Sequence, residues 1–213
     1  MKYLVTGATG FVGSALFQAL RANPKYTVKG FCRTLPVEDA AEGLLALGNL
    51  ESADFSQALA GVDVVIHTAA RAHVMDDEAI DPLAEYRRVN VEGSLNLARQ
   101  AAQAGVKRFV FVSSIKVNGE STPLGKPFTT EHIPAPEDAY GISKHEAEEA
   151  LRALCAETSM ELVIVRPVLV YGPGVKANFL SMMAWVNRGI PLPLGAVKNK
   201  RSLVALDNLV DLL

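Results

Sequence analysis

Lys2-Tyr3-Leu4-Val5-Thr6-Gly7-Ala8-Thr9-Gly10-Phe11-Val12-Gly13 decides the fold. A short apolar, β-branched run is followed at once by three glycines spaced three residues apart, and then by Ala15, Leu16, Ala19 and Leu20 at helical spacing. Strand, glycine turn and helix in that order form the context of a dinucleotide fingerprint. The glycines let the backbone turn tightly and approach a pyrophosphate, whose charge then rests on the helix N-terminus. The spacing is not the G-x-G-x-x-G of ordinary dehydrogenases. A plain flexible loop is the competing reading, and the flanking elements weigh against it.

Outward from this unit, short apolar strands alternate with helices, the pattern of a parallel sheet covered on both faces. Strands are predicted over Tyr3 to Thr6, Thr27 to Cys32, Leu44 to Leu47, Val62 to His67, Arg108 to Val112 and Leu162 to Arg166. Helices are predicted over Val12 to Ala22, Asp54 to Leu59, Pro82 to Gln103 and Asp138 to Glu157. The expected fold is α/β, a Rossmann-type doubly wound sheet over residues 1–167. After Pro167 the alternation gives way to Pro- and Gly-rich loops around a helix near Asn178 to Asn187, and Asp207 to Leu213 reads as the first turns of an apolar helix.

Composition bounds the function. The 213 residues are 49% hydrophobic and 21% charged, enough for a sizeable core, and 21 basic residues against 23 acidic ones give no general attraction to nucleic acid. The two cysteines, Cys32 and Cys155, show no metal-ligand spacing and read as packing residues in a reducing compartment. No charged leader or apolar run of ~20 residues opens the chain, so neither export nor a membrane is expected, and the location is expected to be the cytosol.

Chemistry is carried by Tyr140-Gly141-Ile142-Ser143-Lys144. Residues at i and i+4 share a helix face, so the ammonium can lower the phenol pKa and make Tyr140 a proton donor and acceptor near neutrality. An isolated Tyr-x-x-x-Lys is a common accident, and its weight here comes from the motifs around it.

Thr6 to Gly13, Asp63 to Ala70, Asn90, Ser113-Ser114, Tyr140 with Lys144, and Arg166-Pro167 through Tyr171-Gly172-Pro173 together resemble the extended short-chain dehydrogenase/reductases. Within them the chain is most similar to the nucleotide-sugar epimerases and reductases of the UDP-galactose 4-epimerase type. The resemblance spans essentially the whole chain. It implies an NAD(P) cofactor held by Gly7, Thr9, Gly10, Phe11, Val12, Gly13, Asn49, Leu50, Thr68, Ala69, Ala70, Asn90, Tyr140, Lys144, Pro167 and Val170. It also implies that Ser114 orients the substrate oxygen beside Tyr140, and that Lys116, Asn178 and Arg201 meet a nucleotide-sugar substrate. Residues 168–213 would begin the substrate lobe, which family members continue for roughly a hundred residues on this resemblance, so the lobe is expected to be incomplete.

Each assignment has a plainer counterpart. Ser114 could simply cap a strand end, Asn90 could pin a helix by a hydrogen bond, and His67 reads first as a satisfied core histidine. Arg71 and His73 are assigned no role.

Departures from the resembled pattern narrow the reaction. The second strand ends Phe31-Cys32-Arg33-Thr34 without the acid that binds ribose hydroxyls in NAD enzymes, so Arg33 is expected to meet a 2'-phosphate and the cofactor leans to NADP; an ordinary solvated arginine is the alternative. Asn49 stands where an adenine-binding Asp is usual, and Leu169 where an Asn contacts substrate phosphate. Ile115-Lys116 replaces the Asp-Glu that the related 4,6-dehydratases need to protonate a leaving hydroxyl and remove a carbon-bound proton, which disfavours dehydration. Hydride transfer at C4 remains, as epimerisation or as reduction of a 4-keto sugar. A reductase of non-sugar ketones and a non-catalytic dinucleotide sensor are the other readings. Ala147, Ala150, Leu151 and Leu154 are expected to form a C2 dimer face with the Pro82 to Gln103 helix.

Overall fold

The computed structural model describes residues 1–35, 42–72, 79–175, 177–189, 191 and 199–213, with Ala177 and Asn178 described by their backbone alone. His73 lies outside the described residues, as does the Asn178 side chain. The chain begins β1 (Lys2–Thr6), α1 (Phe11–Arg21), β2 (Thr27–Cys32), β3 (Leu44–Ala46), α2 (Ser56–Leu59) and β4 (Val64–His67). It continues α3 (Pro82–Arg87), α4 (Gly93–Gln103), β5 (Arg108–Val112), α5 (Ala139–Ala156), β6 (Glu161–Val165), β7 (Leu169–Tyr171), α6 (Ala177–Asn187), β8 (Leu203–Ala205) and α7 (Leu206–Leu212).

Six strands form one parallel sheet in the order β3-β2-β1-β4-β5-β6. Because successive strand side chains point to opposite faces, each apolar strand feeds two cores. Leu4, Val65, Phe109 and Phe111 face α4 and α5 together with Leu97, Ala101, Ala147 and Leu151, whereas Val5, Ile66 and Val110 face α1 with Leu16 and Phe17. The chain leaves β1 toward β2 on one side and returns to β4 on the other, so the loops after β1 and β4 diverge and open a crevice, where open α/β sheets bind ligands.

Most expected elements are present, with ends that move by caps. Asp54 accepts the Ser56 N–H at 2.9 Å and therefore precedes α2 rather than starting it. Asp138 accepts the Gly141 N–H at 2.6 Å and caps α5. The expected single helix over Pro82 to Gln103 is interrupted by a π-turn at Arg88–Glu92, and β7 pairs with β8 in a small parallel sheet that the sequence reading lacked. Beyond that sheet, α7 returns to pack Val210 and Leu213 against the α1 core.

The expected dimer face is corrected at Ala147 and Leu151, while Ala150 is half-buried outside the core cluster. Ala147 and Leu151 are 0% exposed in the main core and Leu154 packs against the same cluster, because the apolar stripe of α5 is spent on the sheet. Among the described residues no helix is long and apolar enough to cross a membrane, and no group of three or more His, Cys, Asp or Glu is set to hold a metal.

Candidate active site

The glycine turn is built for close approach. Gly7 adopts φ +69°, and a Cβ there would lie 2.8 Å from the Ala69 nitrogen; one on Gly13 would lie 2.1 Å from the Gly7 carbonyl oxygen and 2.5 Å from Thr68 Oγ1. The loop after β1 therefore rests directly on Thr68-Ala69, at the end of β4. Gly10 caps α1 in an extended conformation without a side-chain hydrogen bond, so the amides at Phe11, Val12 and Gly13 begin the helix with no capping side chain over them, and Thr9 and Gly10 are exposed. A dinucleotide diphosphate fits this cradle, since it needs backbone donors and no intervening side chain.

At the neighbouring edge, Arg33 and Asn49 are exposed while Leu50 is buried. Leu50 turns its side chain toward Gly93 and gives its carbonyl to Asn96 at 3.0 Å, which leaves Asn49 as the open member of that pair. Pro167 accepts the Ile115 N–H at 3.0 Å, Val170 pairs with Val204, and Arg201 is exposed just before β8.

Of the three residues expected to carry the chemistry, Ser114 and Tyr140 meet directly. The Ser114 side chain hydrogen-bonds the Tyr140 phenol and also accepts the Lys116 N–H at 3.2 Å, so the capping reading of this serine holds and its hydroxyl lies against the phenol. Its place is fixed because Ser113 N–H donates to Val165 at 2.7 Å and Ile115 N–H to Pro167, pinning the chain across the ends of β5 and β6. Lys116 pairs with Glu120 at 2.8 Å and with Asp138, which caps the tyrosine-bearing helix. Asn90 does what the plainer reading held: its amide accepts from Arg71 N–H at 2.8 Å and donates to Ser143 Oγ at 2.9 Å.

One expectation changes. Lys144 lies a turn beyond Tyr140 but is 1% exposed, with its ammonium 3.8 Å from the Phe111 ring centroid. Burial pushes the Tyr140 phenol up to about 12, with the Ser114 hydrogen bond pulling the other way, and burial brings Lys144 down to about 7, opposed by Glu148. In the protein by itself burial outweighs any lowering of the phenol pKa, and the Lys144 ammonium sits over an aromatic face.

This burial has a measurable sign. Lys144 gives up its proton earlier in the folded protein than in the unfolded chain, where the ordinary value is 10.5, so between those values unfolding takes up a proton and stability rises with pH. Raising the pH from about 7 to about 8.5, below the thiol and phenol range, is expected to stabilise the cofactor-free protein by about 1–2 kcal/mol. Urea midpoints measure it. Lys144→Met should flatten the profile; a wild-type profile that is flat or falls over this range refutes the assignment.

Behind the pair lies a charged cluster that the sequence reading missed. Glu148, 0% exposed and a further turn along the same α5 face, accepts from Ser113 Oγ at 2.6 Å, from Arg166 Nε at 2.9 Å and Nη2 at 2.5 Å, and from Arg152 Nη2 at 3.1 Å. These donors hold its carboxyl below the usual carboxylate range against the cost of burial. Arg166 also donates to Asn118 at 3.0 Å. The cluster ties the ends of β5 and β6 to α5. The signal available was the spacing Tyr140, Lys144, Glu148, an acid on an otherwise core-facing stripe.

The family model described as the NAD dependent epimerase/dehydratase family matches residues 3–213. The chain belongs to the NAD dependent epimerase/dehydratase family. Among its relatives is a UDP-glucose 4-epimerase of Vibrio cholerae, 55% identical over 213 residues, which cover 99% of this chain and 64% of that protein. The family fold is matched by a UDP-glucuronic acid 4-epimerase from Bacillus cereus solved in complex with NAD, at TM-score 0.84 and 25% identity over 99% of this chain and 70% of that one. A UDP-glucose 4-epimerase from Thermotoga maritima solved with UDP-glucose gives TM-score 0.81 and 26% identity over 99% and 71%. This epimerase/dehydratase chain thus spans just under two thirds of the length of the Vibrio cholerae relative.

Proposed function

We propose that this chain supplies the dinucleotide site and the acid–base group of an enzyme acting at C4 of a nucleotide-activated hexose, as a UDP-sugar 4-epimerase. The observation that carries the reading is the Ser114–Tyr140 hydrogen bond with Lys144 a turn away, in a chain whose glycine turn leaves room for a diphosphate. The 55% identity to a UDP-glucose 4-epimerase supports the substrate class.

The backbone at Gly7, Thr9, Gly10 and Phe11 to Gly13 would hold the cofactor diphosphate, Thr68 to Ala70 its neighbouring ribose, and Lys144 the nicotinamide ribose. A bound nicotinamide supplies the hydride acceptor and donor. Ser114 orients the sugar O4 toward the phenol. Tyr140 takes the O4 proton as the carbon is oxidised and returns one when it is reduced, on either face of the sugar for an epimerase. For this the phenol pKa must fall from about 12, and the ammonium of Lys144 is the buried cation on the same helix face. Asn178 and Arg201 remain the candidates for the substrate's nucleotide diphosphate, Arg201 because its planar fork suits paired phosphate oxygens, and Lys116, paired with Glu120 and Asp138, remains a candidate substrate contact beside Ser114. Residues 168–213 begin the substrate lobe in this reading. A homodimer is part of this reading, with Ala147 and Leu151, which lie in the core, taking no part in its face. A cytosolic location is supported by the two free thiols, Cys32 and Cys155.

A 4-keto-sugar reductase is the second reading, carried by Arg33. With no acid at Phe31, Cys32, Thr34 or Leu35, an exposed Arg33 can pair a 2'-phosphate by charge-assisted hydrogen bonds, giving roughly a tenfold to hundredfold preference for NADP. One experiment separates the readings: titration of wild type and Arg33→Ala with NAD and NADP, followed by conversion of UDP-glucose to UDP-galactose under the preferred cofactor. NADP preference lost in Arg33→Ala supports the reductase. Equal or tighter NAD binding with interconversion and no net consumption of cofactor supports the epimerase, and turnover of neither sugar nucleotide with either cofactor overturns both.

A further inference from the structure

His67 ends β4 at 0% exposure, and its two ring nitrogens are both engaged. Nδ1 lies 2.6 Å from Thr6 Oγ1 and Nε2 lies 2.9 Å from Ser94 Oγ. Which nitrogen carries the proton follows from counting donors. Ser94 Oγ is 2.6 Å from the Asn90 carbonyl oxygen, which has no proton to give, so the one Ser94 hydroxyl proton is committed there. Toward His67 the serine can only accept, and Nε2 must carry hydrogen. Nδ1 of the neutral ring is then an acceptor, and the Thr6 hydroxyl donates to it. Thr6 Oγ1 in turn accepts the Ala69 N–H at 3.3 Å. Every link holds one proton and all point the same way: Ala69 N–H to Thr6, Thr6 to His67, His67 to Ser94, Ser94 to the Asn90 carbonyl.

A second protonation would break the order. It would place a proton on Nδ1 against the Thr6 hydroxyl, which has no other acceptor among the described residues. It would also add a cation against Phe111, whose ring stacks on His67 at 5.7 Å between centroids and carries the Lys144 ammonium. Burial and Lys144 accordingly hold the His67 pKa down to about 3.

The two ends of this chain matter separately. Ala69 is the residue on which Gly7 rests. At the other end, the Asn90 side chain donates to Ser143 Oγ at 2.9 Å, and Ser143 Oγ donates to the Tyr140 carbonyl at 2.8 Å. We propose that His67, locked as its neutral Nε2–H tautomer, is a positioning residue that joins the diphosphate-cradling loop to the π-turn carrying Asn90 and, through Ser143, to the first turn of the helix bearing Tyr140. The roles of the loop and of the tyrosine rest on the function proposed above; the proton order does not.

The test has two arms. Nitrogen-15 NMR of the ring-labelled protein, with His67→Gln and His67→Phe to identify the signal, should show Nε2–H with no titration between about pH 5 and 9, against an ordinary value near 6.5. An Nδ1–H tautomer, or a midpoint inside that range, overturns the proposal. Cofactor affinity is the second arm. Ser94→Ala, on the far side of His67 from the glycine loop, should weaken NAD(P) binding about fivefold in the His67 protein and have no effect in the His67→Phe background, as members of one network couple. If His67→Phe does not fold, Thr6→Val serves as the background that cuts the chain. No change from Ser94→Ala, or an equal change in both backgrounds, overturns the coupling. A protein that binds neither dinucleotide overturns the cofactor reading and this coupling together, while the tautomer stands or falls by NMR alone.

Discussion

Tyr140→Phe is expected to lower turnover by about a hundredfold or more and to leave cofactor affinity nearly unchanged. The substitution removes one hydroxyl and keeps the ring, so the edge-to-face packing on Tyr86 at 6.1 Å between centroids is retained, as is the α5 backbone capped by Asp138. What is lost is the hydroxyl that, in the proposed function, passes a proton to the sugar oxygen beside Ser114. The loss should therefore fall on kcat. Steady-state kinetics with the preferred sugar nucleotide, together with direct titration of cofactor, separates the two quantities. Intact turnover would remove Tyr140 from the mechanism; a parallel collapse of cofactor binding would make it a binding residue instead.

The second large effect is on stability. Glu148→Leu should destabilise the fold by about 3–5 kcal/mol, since Arg166 is left largely buried with its charge uncompensated. Breaking one half of a buried pair costs more than removing both. Arg166→Met in the Glu148→Leu background should accordingly recover a substantial part of the loss, as read from urea denaturation. The sign with pH follows from the depressed carboxyl: the wild-type contribution is present above the ordinary carboxylate value of 4.5 and is lost as the pH falls through the lower folded value. A single-variant cost below about 1 kcal/mol would show that the cluster is solvent-relaxed rather than a buried clamp.

The sheet was legible because its strands are nearly continuous apolar runs. Thr27 to Cys32 and Arg108 to Val112 were read with their observed ends, and β1 with the glycine turn gave the crevice. Ser114, Tyr140 and Lys144 could be brought together on paper because strand end and helix face are local properties. What stayed hidden depends on partners distant in sequence. The π-turn has the same helical pattern as its flanks, and its position is marked by Asn90 bonding the Arg71 backbone and Ser143. β7 and β8 are three residues each, too short for a period to show. The stripe on α5 that looked like a dimer face is core, because small apolar residues suit both. The ammonium over Phe111 could not be foreseen from a four-residue spacing, which places two side chains on one face without fixing which of several neighbours the longer one meets.

The π-turn at Arg88–Glu92 is in effect one extra residue threaded into an otherwise ordinary helix. Each helical residue advances the side-chain direction by about 100°, so everything beyond the extra residue is rotated by that much relative to an unbroken helix. Tyr86 before it, and Ser94, Leu97 and Ala101 after it, are all buried with the turn in place. Excising a single residue here would leave a more regular helix and a worse protein. Either Tyr86 would swing away from Tyr140 or the Leu97 and Ala101 side of α4 would swing away from the sheet. Within this one segment, shortening is disfavoured even though its backbone, taken alone, is the least regular of the helix.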